Sequence, residues 1–225
     1  MRKFNQKSQR GLSLIEVLLS LAVLASISYY LLLQQASTAS DLRAKRVADS
    51  MKDFSDVATN YLLANKDGVM GAANNGANAS TYCVINANPS TGVGTVANNT
   101  TKHTCAVDVS FLKFKKVVPA SYSDTNEYRQ KWTAIYRTVY IDHDSNAGTP
   151  DQPDGSVELL VVASTNGGAE KAPSNEELVT AGTMSGFNGG FIPSGTVGNC
   201  TYNGTTKQAC GSGGGWRVDL NNFIN

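Results

Sequence analysis

The chain has 225 residues, with 19 Lys and Arg against 18 Asp and Glu and a formal net charge of +1. That balance removes the bulk attraction on which nucleic-acid binding depends, so no nucleic-acid partner is expected. The length suits one domain with an appended element, and 21 glycines, with Asn, Ser and Thr plentiful beyond residue 68, point to short strands joined by many turns.

Residues 1–11 (MRKFNQKSQRG) are polar and basic, with Arg2, Lys3, Lys7 and Arg10 and no acid. LSLIEVLLSLAVLASISYYLLL follows from Leu12 to Leu33, roughly 33 Å as a helix and long enough to cross a bilayer core. The upstream cations orient it with the N-terminus cytoplasmic and the remainder outside. A secretory signal peptide shares the basic start and apolar centre, but Ala36-Ser37-Thr38-Ala39-Ser40 offers only a weak cleavage site. The apolar run is too long for that alternative, and it contains Glu16. An ionised carboxylate inside an inserted helix costs about 2.5–3.5 kcal/mol on insertion scales, so Glu16 requires a partner charge.

Beyond Gln34 the pattern turns amphipathic, with Val47, Met51, Phe54, Ala58 and Tyr61-Leu62 recurring at intervals of three and four between charged residues. No proline precedes Pro89, and Asn65-Lys66-Asp67-Gly68 reads as a stop with Gly68 as the C-terminal cap. One helix is therefore expected from about residue 13 to 66, roughly 80 Å long, its apolar stripe packed on a head domain. Sustained a/d heptads, which an independent coiled coil needs, are missing.

After Gly68, MGAANNGANAS reads as a loop, Thr81–Asn86 as a short strand, PSTGVGTVANNTTKHT as a loop and Cys105–Leu112 as a strand. Thr133–Ile141 and Val157–Ser164, rich in Val, Ile and Tyr, are the strongest strand candidates. DHDSNAGTPDQPDG separates them as a loop. Ser174-Asn175-Glu176-Glu177 is a capping box opening a helix to about Ser185. Glycine-bounded segments, among them Gly215–Leu220, finish the chain. The whole predicts an α+β fold: a long helix, membrane-spanning in its first half, laid on an antiparallel sheet.

The four cysteines are Cys83, Cys105, Cys200 and Cys210; no C-x-x-C occurs, and neither His103 nor His143 has a spaced partner. A zinc site is not expected. In an exported domain the cysteines read as two disulfides. Three connectivities are open, and the sequential pairing, Cys83 to Cys105 and Cys200 to Cys210, is favoured because each closes a short loop.

Asp142-x-Asp144-x-Asn146 has the opening spacing of a calcium loop, but Ala147 stands where glycine is needed and Pro153 where the bidentate glutamate belongs. Even with Asp151 and Asp154 nearby, a solvated loop is the expectation, with no metal or cofactor. No G-x-S-x-G and no P-loop is present, both histidines lie in polar sequence, and no enzyme is expected. Lys113-Phe114-Lys115-Lys116 has the look of a basic aromatic patch and is read as a solvated strand edge. Glu176 and Glu177 are explained by the helix start they occupy.

Gly11-Leu12-Ser13-Leu14-Ile15-Glu16-Val17, following a basic leader and fused to an apolar helix, resembles the processing motif of type IV prepilins and pseudopilins. The resemblance implies cleavage by a membrane prepilin peptidase after Gly11 and methylation of the new amino terminus at Leu12. Glu16 would neutralise that amino group on a neighbouring subunit, setting axial register. Many members begin the mature chain with Phe; Leu12 is more like the type IVb branch, although an 11-residue leader is short for it. The order Tyr128-Arg129-Gln130, a strand pair, Thr165-Asn166-Gly167-Gly168, a helix, Gly189-Gly190 and Gly215-Trp216 resembles PilV-like minor pilins. In that group a C-terminal segment beyond the position of Asn225 recognises recipient surfaces.

The resulting division is a leader at 1–11, a transmembrane and assembly helix at 12–34, its amphipathic continuation at 35–67 and a disulfide-stapled head with the pilin fold at 68–225. What the resemblance implies is a minor pilus subunit, held in the bacterial inner membrane before assembly and on the cell-surface pilus after it. Its partners would be other pilin subunits, the peptidase, the inner-membrane assembly machinery and a host or recipient cell surface. A major pilin, a tip adhesin and a type II secretion pseudopilin are the alternatives.

Overall fold

A computed structural model describes residues 14–141, 151–164 and 173–223. One compact unit reaches to Leu42, and a second runs from Arg43 to Asn225. The long helix α1, Leu14–Asn75, contributes to both.

The α1 helix outruns the sequence reading. Asn65 alone leaves helical geometry (φ −131°, ψ 21°), and its side-chain amide donates to the Tyr61 carbonyl (2.9 Å), so a backbone acceptor at the irregular turn stays satisfied. The helix then resumes, and Gly68 is an interior residue rather than a cap. A Cβ at Gly68 would run into the Tyr82 ring, so the glycine there answers a packing need. The cap is Gly76, at φ 76°, whose N–H donates to the Ala72 carbonyl (3.2 Å) in a left-handed C-terminal turn. The expected boundary at residue 67 therefore moves to Asn75, and the loop expected over 70–80 is largely helical.

Between α1 and the main sheet the chain is compact. Helix α2 (Ala79–Tyr82) takes the start of the expected strand at Thr81–Asn86, leaving only β1 (Val84–Ile85), which pairs with β2 (Thr95–Val96). β2 and β3 (Asn98–Asn99) lie within the stretch read as a loop. β4 (Thr104–Asp108) gives way to α3 (Val109–Phe114), so Cys105–Leu112 is not one strand. Asp108 makes the change. Its extended backbone ends the strand, and its carboxylate accepts the Phe111 N–H (3.0 Å) as an N-cap and the Asn86 N–H (2.6 Å).

The main sheet is antiparallel, in the order β3-β4-β5-β6, with β5 at Lys131–Ile141 and β6 at Gln152–Ser164. Trp132, Ala134, Tyr136 and Thr138 alternate onto one buried face of β5. Against this face lies the α1 stripe of Ala44, Val47, Phe54, Ala58 and Tyr61. Phe54 stacks on Trp132 (centroids 6.0 Å) and Tyr61 tilts against Tyr136 (6.2 Å). Burying each of these side chains contributes about 1.5–3 kcal/mol. The two tyrosine hydroxyls are not wasted: Tyr136 donates to the Ala58 carbonyl and Tyr61 to the Tyr82 carbonyl, each at 2.9 Å.

A smaller cluster forms beyond the main sheet. Helix α4 (Asn175–Met184) opens with the expected capping box, Ser174 Oγ accepting from Glu177 N–H and Glu177 Oε2 accepting from Ser174 N–H (2.9 Å). β10 (Gln208–Gly211) pairs with both β7 (Gly190–Phe191) and β11 (Arg217–Asp219), while β8 (Gly195–Val197) pairs with β9 (Cys200–Tyr202). Phe191, Cys200 and Cys210 pack there with Leu178, Val179 and Val197. The described residues thus form an α+β protein with a long N-terminal apolar helix, antiparallel sheets and two disulfides.

Candidate functional site: an apolar helix and a disulfide-bonded head

In the first unit the large apolar side chains from Leu14 to Leu33 are all exposed, from 42% at Val17 to 77% at Leu14. They point in every direction around the helix. Soluble monomers rarely leave more than a few hundred Å² of contiguous apolar surface uncovered, so a surface of this kind marks contact with lipid or other protein. The helix is long and apolar enough to cross a membrane. Two of its hydroxyls suit such a setting because they are satisfied within the helix. Ser26 Oγ donates to the Ala22 carbonyl (2.8 Å) and Thr38 Oγ1 to the Gln34 carbonyl (2.9 Å).

Glu16 falls in the first turn of α1, but its side chain, like Gly11 and Leu12, lies outside the described residues. Asp142, Asp144, Asn146 and His143 also lie outside them. Asp151 is exposed, and Asp154 Oδ1 accepts from the Ser156 N–H (2.7 Å) and hydroxyl (2.6 Å). Among the described residues no group of three or more His, Cys, Asp or Glu is placed to hold a metal ion.

The head brings its cysteines together sequentially. Cys83 bonds Cys105 within the main core, fastening the β1 region to β4, and Cys200 bonds Cys210 within the smaller cluster. Cross-links of this size stabilise a fold by about 2–4 kcal/mol, largely by restricting the unfolded chain. His103 has its ring stacked on Tyr140 (3.8 Å). Burial, with Arg137 nearby, pushes its pKa down.

The basic aromatic run corrects the sequence reading, because Lys113–Lys116 ends α3 rather than edging a sheet. Lys113 pairs with Asp124 (2.7 Å), and Lys115 lies over the Phe111 ring (5.4 Å). These contacts occupy the two cations locally.

Sequence reasoning missed a recess of about 280 Å³ lined by Thr183, Phe187, Ser212 and several glycines. Phe187 stands at its rim, 87% exposed. The indole N–H of Trp216 donates to the Phe187 carbonyl (3.2 Å) and holds that turn. Gly190 and Gly211 leave room for the indole, since a Cβ on either would press into it. The only prior signal was the glycine spacing around Gly189-Gly190 and Gly215-Trp216. No family model, curated protein or solved structure matches the chain.

Proposed function

We propose that the chain is a type IV pilin-like subunit, of the type IVb minor-pilin kind, that resides in the inner membrane and is then drawn into a filament. The observation that carries this reading is the split within α1. Its large apolar side chains are uncovered through Leu33, whereas from Ala44 an apolar stripe is buried against a disulfide-bonded head. A solvent-facing helix gains nothing from such a surface; a helix passed from lipid to a bundle of like helices remains in apolar surroundings throughout. The motif from Gly11 to Glu16 adds the processing and register step. Cleavage after Gly11 by a prepilin peptidase frees the Leu12 amino group, and Glu16 pairs with that group on a neighbouring subunit. A carboxylate in an apolar bundle is tolerable when paired, and the pair specifies stagger. In this reading the chain is the substrate of the peptidase and catalyses nothing itself.

The test is mass spectrometry of filaments sheared from cells, beside a Glu16→Val variant. The expected mature chain begins with N-methylated Leu12, and the variant is lost from filaments while still accumulating in the membrane. A chain beginning near Ala39 or Ser40 would identify an ordinary signal peptide and defeat the proposal. The amount of subunit relative to other pilins separates a minor from a major component.

A second reading, a surface-recognition head, is favoured by the exposed Phe187 at the rim of the recess. Under it, Phe187→Ala leaves filament assembly intact and abolishes cell attachment.

A further inference from the structure

Three lysines close α3, and they satisfy their charges differently. Lys113 pairs with Asp124 (2.7 Å), and Lys116 is exposed, its backbone in the left-handed region at φ 59°. Lys115 takes neither course. Its Nζ lies over three aromatic rings, 5.4 Å from the centroid of Phe111 and 5.9 Å from those of Tyr82 and Phe114. Among the described residues no carboxylate is placed to pair with it. Several ring faces around one ammonium form the kind of cage that holds quaternary ammonium groups. The rings are held independently of the lysine. A Cβ at Gly68 would enter the Tyr82 ring, and one at Gly92, where φ is 72°, would enter the Phe114 ring. The Tyr82 carbonyl accepts the Tyr61 hydroxyl (2.9 Å), and the neighbouring Cys83 is disulfide-bonded to Cys105. Phe111 is buried, with its N–H on the Asp108 carboxylate (3.0 Å). Tyr82 and Phe114 are half-buried, so the cluster reaches the surface.

We infer that Tyr82, Phe111 and Phe114 form a binding site for a phosphocholine group, with Lys115 as its tethered stand-in. The site already holds an alkylammonium, and hydration decides which one it holds best. A primary ammonium is compact and strongly hydrated through three donors, which the rings replace poorly. A trimethylammonium has no N–H to desolvate, and its methyl groups add apolar contact with the rings. It therefore displaces Lys115, whose flexible four-carbon stem swings to solvent. The released ammonium and that of the adjacent Lys116 then flank the entrance, where they attract the phosphate that phosphocholine carries close to its cation. Free phosphate lacks the group that the rings recognise, and free choline lacks the group that the lysines recognise. The site lies within the head, and the inference does not depend on the pilin reading.

The test uses the full chain in a maltoside detergent, which brings no ammonium of its own. Saturation-transfer NMR follows the methyl signals of phosphocholine, of tetramethylammonium and of the neutral choline analogue in which carbon replaces nitrogen. Phosphocholine should bind, and the neutral analogue should bind roughly tenfold more weakly than tetramethylammonium. Lys115→Met keeps the stem but removes the competing ammonium, so tetramethylammonium should bind it roughly tenfold more tightly than the parent. In that background Tyr82→Leu and Phe114→Leu should each lose roughly tenfold, with native tryptophan emission confirming a folded head. Lys116→Ala should weaken phosphocholine and leave tetramethylammonium unchanged. Equal binding of the neutral analogue would reveal a merely apolar contact, and no gain in Lys115→Met would show that the rings hold nothing but their own lysine; either result overturns the proposal. With the chain in phosphatidylglycerol nanodiscs, capture by phosphocholine beads alone assigns the ligand to a soluble ester. Capture also by beads coated with phosphatidylcholine assigns it to a lipid surface, and capture by neither defeats the inference.

Discussion

The two stretches of α1 obey the same backbone rules and opposite solvent rules. Up to Leu33 the apolar side chains face outward on all sides, whereas from Ala44 the buried residues are confined to a stripe and the charges take the rest. A long helix can therefore be a single element without being a single thermodynamic object. The first stretch draws its stability from whatever covers it, and the second from the sheet beneath it.

The largest effect should come from emptying the covered stretch. Phe54 is fully buried against Trp132, so Phe54→Ala should cost the head about 3–5 kcal/mol in denaturant unfolding. Leu24→Ala removes a side chain 59% exposed and should move head unfolding by less than about 0.5 kcal/mol, while weakening retention in membranes. Equal effects on head unfolding would break the comparison.

A smaller loss should follow at the second cluster. A Cβ at Gly190 would press on the Cys210 carbonyl and the Trp216 ring, so Gly190→Ala should cost about 1–3 kcal/mol. Amide exchange should accelerate around Phe191 and Cys210 before it does around Tyr136.

The smallest effect is at Asp108, and it has a pH signature. Burial raises its carboxyl pKa, while hydrogen bonds from the Phe111 and Asn86 amides pull the other way. The folded state thus holds the proton more tightly than the unfolded state, and the stability from this group falls as pH rises from the ordinary carboxylate value, about 3.9, through the raised one. Asp108→Asn should remove that slope while retaining a capping oxygen. Asp108→Ala should cost about 1–2 kcal/mol through the lost cap. Unfolding curves of the three proteins from acid to neutral pH check both statements.

Much of this architecture was legible because it rests on patterns with strong local causes. The apolar run, the stripe through Phe54 and Tyr61, the strands β5 and β6 and the Ser174 capping box all follow from periodicity or from one side chain closing on a nearby amide. The errors arose where distant residues decide. Gly68 resembles a helix stop until Tyr82 folds over it. Cys105–Leu112 alternates like a strand until the Asp108 carboxylate turns the chain. The two-residue strands β1, β2, β3 and β7 exist through their partners and leave no period to read. The reading of Gly11, Leu12 and Glu16 rests on the sequence alone, where a carboxylate in an apolar run is conspicuous.

The placement of the two tryptophans gives the head a built-in pair of optical reporters. Trp132 lies in the main core, 3% exposed and stacked on Phe54, while Trp216 leans on glycines at a half-open surface beside the smaller cluster. Their emission should differ in colour and in access to a quencher. Trp216→Phe leaves a chain whose fluorescence follows the main sheet alone, and the difference from the parent follows the smaller cluster around Cys200 and Cys210. Whether the two signals fade together or in sequence on heating would show if the head melts as one body or from its C-terminal end.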